Sequence, residues 1–131
     1  MKKRPKLKTV KKKLWTIFSK YIRLRDRGVC ISCGKRDEIS KMHAGHYIPK
    51  TAGTAIYFDE RNVNCQCPGC NTFRHGNLAQ YAIALRKKYG KNILEELDEI
   101  RRAGRKIKVS EYLELIEKYK AKIEELTQQG L

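Results

Sequence analysis

The chain has 131 residues, with 30 Lys and Arg against 14 Asp and Glu, so its formal net charge is +16. This length suits one domain with some appended helix. No apolar run approaches the ~18 residues that span a bilayer, and the basic N-terminus lacks the apolar segment of a secretory signal. The sequence therefore predicts neither a membrane protein nor a secreted one.

The positive charge is concentrated before residue 91. Residues 1–90 hold 21 Lys and Arg against 5 Asp and Glu, whereas residues 91–131 hold 9 of each. A field of this sign attracts a polyanion, and nucleic acid is the expected partner. An anionic membrane surface is the alternative, but the basic region has no strong apolar face beyond what a small core would use.

The chain begins with a basic segment and a helix. Residues 1–13 contain eight Lys or Arg and are predicted to form a flexible arm that lies along phosphates. From Leu14 to Arg27 the apolar residues recur at helical spacing, and Gly28 is a natural stop. We expect this helix to pack its apolar stripe on the zinc segment and to turn its cations outward.

Two C-x-x-C pairs follow, Cys30 with Cys33 and Cys67 with Cys70. Two such pairs a few dozen residues apart are typical of four thiolates around one structural Zn²⁺. The fifth cysteine, Cys65, is predicted to be a small buried residue. Cysteines with metal-type spacing fit a reducing compartment, and hence a cytoplasmic protein, better than a disulfide scaffold.

The segment between the pairs reads as short strands and turns. Residues 38–43 and 45–48 favour a hairpin or a broken strand, residues 55–58 a second short strand, and residues 59–62 a turn. A helix is predicted from Cys70 onward. It would place Asn71 and His75 on one face, since residues four apart are neighbours on a helix, so the two side chains can converge on one cation.

Three helices are predicted in the rest of the chain, over residues 78–89, 92–103 and 110–128, with Ser110 as the cap of the last. That last helix carries an apolar seam at four- and three-residue spacing. The seam has two expected uses, either packing on the helix of residues 78–89 or joining a homodimer. Its residues are Tyr112, Ile116, Tyr119, Ile123 and Leu126.

The chain resembles the HNH endonuclease motif in the order of four features, which are His46, Asn62, the second cysteine pair and Asn71. In that family a histidine on a β-hairpin, an asparagine in the next loop and a His or Asn opening a helix form a ββα-metal site. Asn62 stands five residues before Cys67, as in the family, and Asn71 directly follows the second pair. Some members carry a further ligand four residues along, where this chain has His75.

The resemblance narrows to the NinG (Rap) recombination proteins of lambdoid phages and covers roughly residues 14–90. It rests on Asp37 and on the stretches HAGHY at 43–47, FDERNV at 58–63 and HGNL at 75–78. It implies an α+β fold with a zinc-knuckle ββα-metal (HNH) core, an N-terminal basic helix and additional C-terminal helices. The implied division is an arm at 1–13, a nuclease domain at 14–90 and a helical extension at 91–131.

By the same resemblance, the chain is expected to hydrolyse phosphodiester bonds in branched DNA such as Holliday junctions. His46 would be the general base, a role that suits an imidazole near neutral pH. Asn62 would orient it through side-chain bonds to backbone, and Asn71 and His75 would hold Mg²⁺ or Mn²⁺. The alternative is a non-catalytic zinc-knuckle protein that binds nucleic acid.

One departure concerns the residue before the base, which is Asp or His in many HNH nucleases and Gly45 here. The candidates to fill the vacancy are His43, Asp59 and Glu60, and the alternative for His43 is a half-buried strand residue without a ligand role. The expected DNA contacts are cations of the arm, the first helix and the zinc segment, with Arg61 and Arg74 placed at the scissile phosphate. They are Lys11, Lys12, Lys13, Lys20, Arg23, Lys50, Arg61 and Arg74.

Overall fold

The computed structural model describes residues 5–49 and 53–130. These residues form a mixed α+β structure, mostly helical, with one two-stranded sheet. The elements are α1 (Leu7–Arg25), β1 (His43–His46), α2 (Thr54–Tyr57), β2 (Val63–Gln66), α3 (Leu78–Tyr89), α4 (Ile93–Ala103) and α5 (Val109–Gln128). Among these described elements, no helix is long and apolar enough to cross a bilayer.

Helix α1 begins earlier than predicted. It starts at Leu7 rather than Leu14, so the part of the predicted flexible arm from residue 7 to residue 13 is helical. The buried face already includes Val10, which is 3% exposed, and burial of an apolar face stabilises a helix more than propensity does. Residues 1–4 of the predicted arm, like Lys50, lie outside the described residues.

The sheet pairs strands that are distant in sequence. β1 runs antiparallel to β2, with His43 opposite Gln66 and His46 opposite Val63. The predicted hairpin between residues 38–43 and 45–48 is therefore wrong, and residues 39–41 form a 3₁₀ turn. All four residues of β2 are fully buried, which explains why β2, and not a nearer segment, is the partner.

The second predicted strand, at residues 55–58, is wrong as well. Residues 54–57 form the single-turn helix α2, which buries Ile56. Ile56 packs with Tyr81 and Leu85 of α3 and with Ile93 and Leu97 of α4 in one apolar cluster. The turn predicted for residues 59–62 is confirmed.

The C-terminal helices match the predicted boundaries, but the cap of α5 does not. The helix begins at Val109 after Lys108, rather than after Ser110. Its first turn is closed by Glu111, whose carboxylate accepts a hydrogen bond of 3.2 Å from the backbone N–H of Lys108. A glutamate three residues into a helix commonly satisfies a free N–H group in this way.

The seam of α5 packs on α1 within the chain. Tyr112, Ile116 and Tyr119 are buried with the apolar face of α1, and the rings of Tyr119 and Phe18 lie 4.9 Å apart edge to face. The prediction that the seam packs on the helix of residues 78–89 is therefore wrong. Three of the five seam residues are thus covered within the chain, Ile123 and Leu126 are partly buried against the same cluster, and the homodimer stays a prediction.

Candidate functional site

The four predicted zinc ligands come together. The Sγ atoms of Cys30, Cys33, Cys67 and Cys70 all lie within 4.8 Å of one another, and those of Cys33 and Cys67 are 3.7 Å apart. Four sulfurs at ~2.3 Å from a tetrahedral Zn²⁺ would be about 3.8 Å from each other. The donor set and its spacing therefore fit a structural zinc ion.

The thiols of this cluster do not ionise alike. Burial opposes the charged form of Cys67, but the backbone N–H of Cys70 and the surrounding thiols donate hydrogen bonds to it, and the pKa of Cys67 falls to about 7. Burial instead raises the pKa of Cys33 to about 12. One thiolate in the cluster is thus stabilised by the protons of its neighbours, which a metal ion would replace.

Cys65 is buried, as predicted, and stands outside the ligand set. Its side chain is 0% exposed. Burial is the main cause that raises the pKa of its thiol to about 12, and the nearby charge of Asp26 acts in the same direction. A thiol of this kind is a packing residue and a poor nucleophile.

His46 lies at the end of β1 among aromatic rings. Its Nε2 is 3.0 Å from the carbonyl oxygen of Tyr57. The imidazole stacks on Tyr57 with centroids 4.3 Å apart and on Trp15 at 5.1 Å, while Trp15 and Tyr57 are themselves 5.2 Å apart. The three rings thus form a triangle that fixes the orientation of the histidine.

Asn62 holds the chain that follows β1. Its Oδ1 accepts a hydrogen bond of 2.8 Å from the N–H of Ile48, and its Nδ2 donates to the carbonyls of Ile48 at 3.0 Å and Ile56 at 3.1 Å. The side chain is 0% exposed. One buried amide therefore ties the segment after His46 to the end of α2.

Asn71 and His75 do not share the helix predicted for them. Residues 69–73 form a π-helical turn, and His75 lies beyond it with a φ of 49°. The chain nevertheless brings both residues to one open cavity of about 300 Å³, which His46 and Trp15 also line. The predicted base and the predicted ligand pair thus face the same space.

The amide of Asn71 contacts the strand that carries the candidate base. Its Nδ2 lies 3.0 Å from Nδ1 of His43, so the amide N–H donates to that nitrogen. With this bond in place, Nε2 is the nitrogen through which His43 could ligate a cation. Asp59 and Glu60, the other candidates, are occupied elsewhere, Asp59 by Arg61 and Glu60 by Tyr119 and Lys122.

The glycine before the candidate base is required by packing. A Cβ at Gly45 would overlap Oε1 of Gln66 and lie 2.9 Å from Oδ1 of Asn71. The Gln66 amide is fixed in place, since its Nε2 donates to the Ser32 hydroxyl at 2.8 Å and to the Gly76 carbonyl at 2.7 Å. The Asp or His expected from the HNH pattern has no room here.

Sequence reasoning missed the residues that frame the site, namely Trp15, Tyr57 and Gln66. Gln66 carried one usable signal, because it lies between Cys65, which is predicted to be buried, and the zinc ligand Cys67. Trp15 carried another. It lies on α1 at four-residue spacing between Lys11 and Ser19, and residues at this spacing share a helix face.

The described DNA-binding candidates divide into three groups. Lys11 lies over the Tyr57 ring at 5.5 Å, and Arg23 lines a second cavity of about 310 Å³ that also touches Trp15, His43 and Asn71. Arg61 is bound to the carboxylates of Asp59 and Glu96, which argues against a contact with the scissile phosphate. The remaining described candidates are exposed: Lys12, Lys13, Lys20 and Arg74.

Acidic and histidine ligands are sparse around the cavity. Within residues 5–49 and 53–130, the four cysteines form the one close group of three or more His, Cys, Asp or Glu side chains. A divalent ion at the cavity would therefore have Asn71 and a histidine as protein ligands. Mg²⁺ commonly binds with few protein ligands, because water and phosphate oxygens complete its shell.

Known proteins place the chain in a family. A family profile described as "Bacteriophage Lambda NinG protein" matches residues 1–129. Over 79 residues the chain is 39% identical to protein ninG of Escherichia phage 933W, covering 60% of this chain and 39% of that protein. It is 39% identical to protein ninG of Salmonella phage P22 and 38% identical to that of Escherichia phage lambda, in each case over 79 residues that cover 60% of this chain and 38% of the relative.

The chain thus matches about two fifths of the length of these relatives. No solved structure matches. Because the family profile covers nearly all of the sequence, from its basic first residues through α5, the chain belongs to the NinG family.

Proposed function

We propose that this chain is a metal-dependent, HNH-type endonuclease that hydrolyses phosphodiester bonds in branched DNA during phage recombination in the host cytoplasm. One observation carries the proposal. His46, Asn71 and His75 line one open cavity on a chain whose net charge is +16. An imidazole and two ligand side chains around a space open to a polyanion are the elements that metal-assisted hydrolysis needs.

The hydrogen bond of His46 suits the role of a base. When Nε2 donates its proton to the Tyr57 carbonyl, the lone pair of the neutral ring lies on Nδ1. In the proposed reaction the imidazole takes the proton of a water molecule as the water attacks the phosphorus. Asn62 acts through position alone, because its amide fixes the backbone between His46 and α2.

Asn71 and His75 are the ligands proposed for Mg²⁺ or Mn²⁺. Since Nδ2 of Asn71 is bonded to His43, its Oδ1 is the atom offered to a cation. The bound ion would polarise the phosphate and stabilise the leaving oxygen. The zinc cysteines hold Asn71 in place, because Cys70 directly precedes it in the turn.

The second candidate function is a zinc-knuckle module that binds nucleic acid without cutting it. It is favoured by the bond between Asn71 and His43 and by the absence of a close acidic or histidine cluster at the cavity among the described residues. A binding module would use the same cationic surface. Cleavage is therefore the property that separates the two functions.

Nicking of supercoiled plasmid by zinc-loaded protein tests the proposal. Wild type is compared with His46→Ala and with Thr72→Ala, an exposed residue of the neighbouring turn, in Mg²⁺ or Mn²⁺ and without added divalent ion. We expect His46→Ala to lose ~10²–10⁴-fold in rate with unchanged DNA affinity, and Thr72→Ala to cut as wild type. Equal cutting by His46→Ala and wild type would refute the role of the base.

A further inference from the structure

Phe73 is the most exposed large hydrophobic side chain in the described part of the chain. It is 81% exposed, whereas the others in this class range from 38% to 53%. A single exposed hydrophobic residue is ordinary on a protein surface. The position of Phe73 beside the candidate site is what calls for an explanation.

Phe73 lies between the two proposed cation ligands. It is two residues from Asn71 and two from His75, so its Cα is within about 7 Å of theirs. Both of those residues line the cavity of His46. The Phe73 ring does not line that cavity itself; it projects into solvent from the turn that carries both proposed ligands.

The turn that carries Phe73 is held at its base. Cys70 belongs to the zinc cluster, the N–H of Gly76 donates to the Cys70 carbonyl at 2.8 Å, and the N–H of Arg74 donates to the Gly69 carbonyl at 2.9 Å. The π-helical form of residues 69–73 is uncommon and often occurs at functional sites. The ring is therefore presented by a fixed turn while making little contact with the fold.

The charge around this turn favours nucleic acid. From residue 61 to residue 94 the sequence contains no Asp or Glu, and Arg74 is exposed directly beside Phe73. Aromatic rings set among cations are the usual platforms for unpaired bases, because the cations hold the backbone while the ring covers a base face. In an intact duplex both faces of a base are already covered by its neighbours.

We propose that Phe73 stacks on an unstacked nucleobase at the branch point of DNA, and so makes this site selective for branched substrates. This inference rests on the proposed function. Phe73 then holds an unstacked base, while the neighbouring backbone phosphate enters the space between His46 and Asn71.

Binding measured without added Mg²⁺ or Mn²⁺ tests the inference separately from cleavage. The probes are a four-way junction with 2-aminopurine at the branch point and a linear duplex of the same sequence. The variants are Phe73→Ala, Phe73→Trp and the control Leu113→Ala, which removes an exposed hydrophobic residue from α5. Retained zinc and an unchanged far-UV spectrum establish that each variant is folded.

We expect Phe73→Ala to weaken junction binding by about 5- to 150-fold, the range for losing one base–aromatic stack. Linear-duplex binding should not change, the 2-aminopurine response should disappear, Phe73→Trp should restore both signals, and Leu113→Ala should match wild type. Equal weakening on both DNAs, or none on either, would overturn the inference. So would a Phe73→Ala effect confined to self-association of the protein.

The two proposals fail in different ways. If wild type binds junctions through Phe73 but cuts no DNA with any divalent ion, the nuclease proposal fails and the stacking contact stands. If wild type cuts junctions and Phe73→Ala binds and cuts them as wild type does, the stacking contact fails alone.

Discussion

Replacing Gly45 by alanine tests whether packing, rather than metal chemistry, determines the residue before His46. The added Cβ would overlap Oε1 of Gln66. To clear it, the Gln66 amide must leave its bonds to Ser32 and to the carbonyl of Gly76. The side chain is 0% exposed, so no water is at hand to replace those bonds.

Two costs add in the Gly45→Ala variant. A buried polar group left unsatisfied costs about 1–3 kcal/mol, and overpacking a close-packed site costs about 1–3 kcal/mol. The free energy of unfolding should therefore fall by about 2–6 kcal/mol, a large part of the ~5–15 kcal/mol typical of a domain. Gly69→Ala is the matched control, because its Cβ would meet only the Cys67 sulfur at an ordinary 3.8 Å.

Urea denaturation of the zinc-loaded proteins, followed by the fluorescence of Trp15, measures both variants. Trp15 is the one tryptophan of the chain and stacks on His46. Combining Gly45→Ala with Gln66→Ala should cost less than the sum of the single changes, because the overlap requires both side chains. A Gly45→Ala protein as stable as Gly69→Ala would refute the reasoning.

Three further predictions concern the frame of the site. Asn62→Ala should lower the free energy of unfolding by about 3 kcal/mol or more, since three backbone groups lose their partner; a loss below about 1 kcal/mol in urea denaturation would contradict this. Asp26 has a pKa held below its usual value, against the effect of burial, by Arg25, Lys88 and the N–H of Cys65. Its ionised form therefore stabilises the fold above the unfolded pKa of ~3.9, and the stability gap between wild type and Asp26→Asn should close as pH falls through and below that value. Cys67→Ser should abolish binding of one Zn²⁺ and unfold the protein, because structural zinc contributes an apparent ~10–16 kcal/mol, whereas Cys65→Ser should keep one Zn²⁺ per chain by metal analysis.

Local signals in the sequence predicted the helices and the zinc ligands. The two C-x-x-C pairs identified all four cysteines, since metal geometry fixes ligand type and spacing. The helix at residues 78–89 was predicted to the residue because its apolar period is long and Gly90 ends it. Such features depend on neighbours in sequence, which is the information that a pattern contains.

Features that depend on distant contacts were not predictable. The pairing of β1 with β2 joins residues about twenty apart, and α5 packs on α1 from the other end of the chain. The helical start at Leu7 was hidden because lysines mask the buried Val10. The absence of an Asp or His at position 45 depends on such contacts too, because Gln66 and Asn71 fill the space that its side chain would need.

Cleavage of end-labelled DNA by zinc-loaded wild-type protein tests the central claim most directly. The substrates are a four-way junction, a flap and a linear duplex of the same sequence, with Mg²⁺ or Mn²⁺ titrated from zero. The nuclease proposal predicts strand cuts in the junction that require added divalent ion and that exceed those in the linear duplex. Tight junction binding with no cut at any divalent concentration would contradict it and favour the zinc-knuckle binding module.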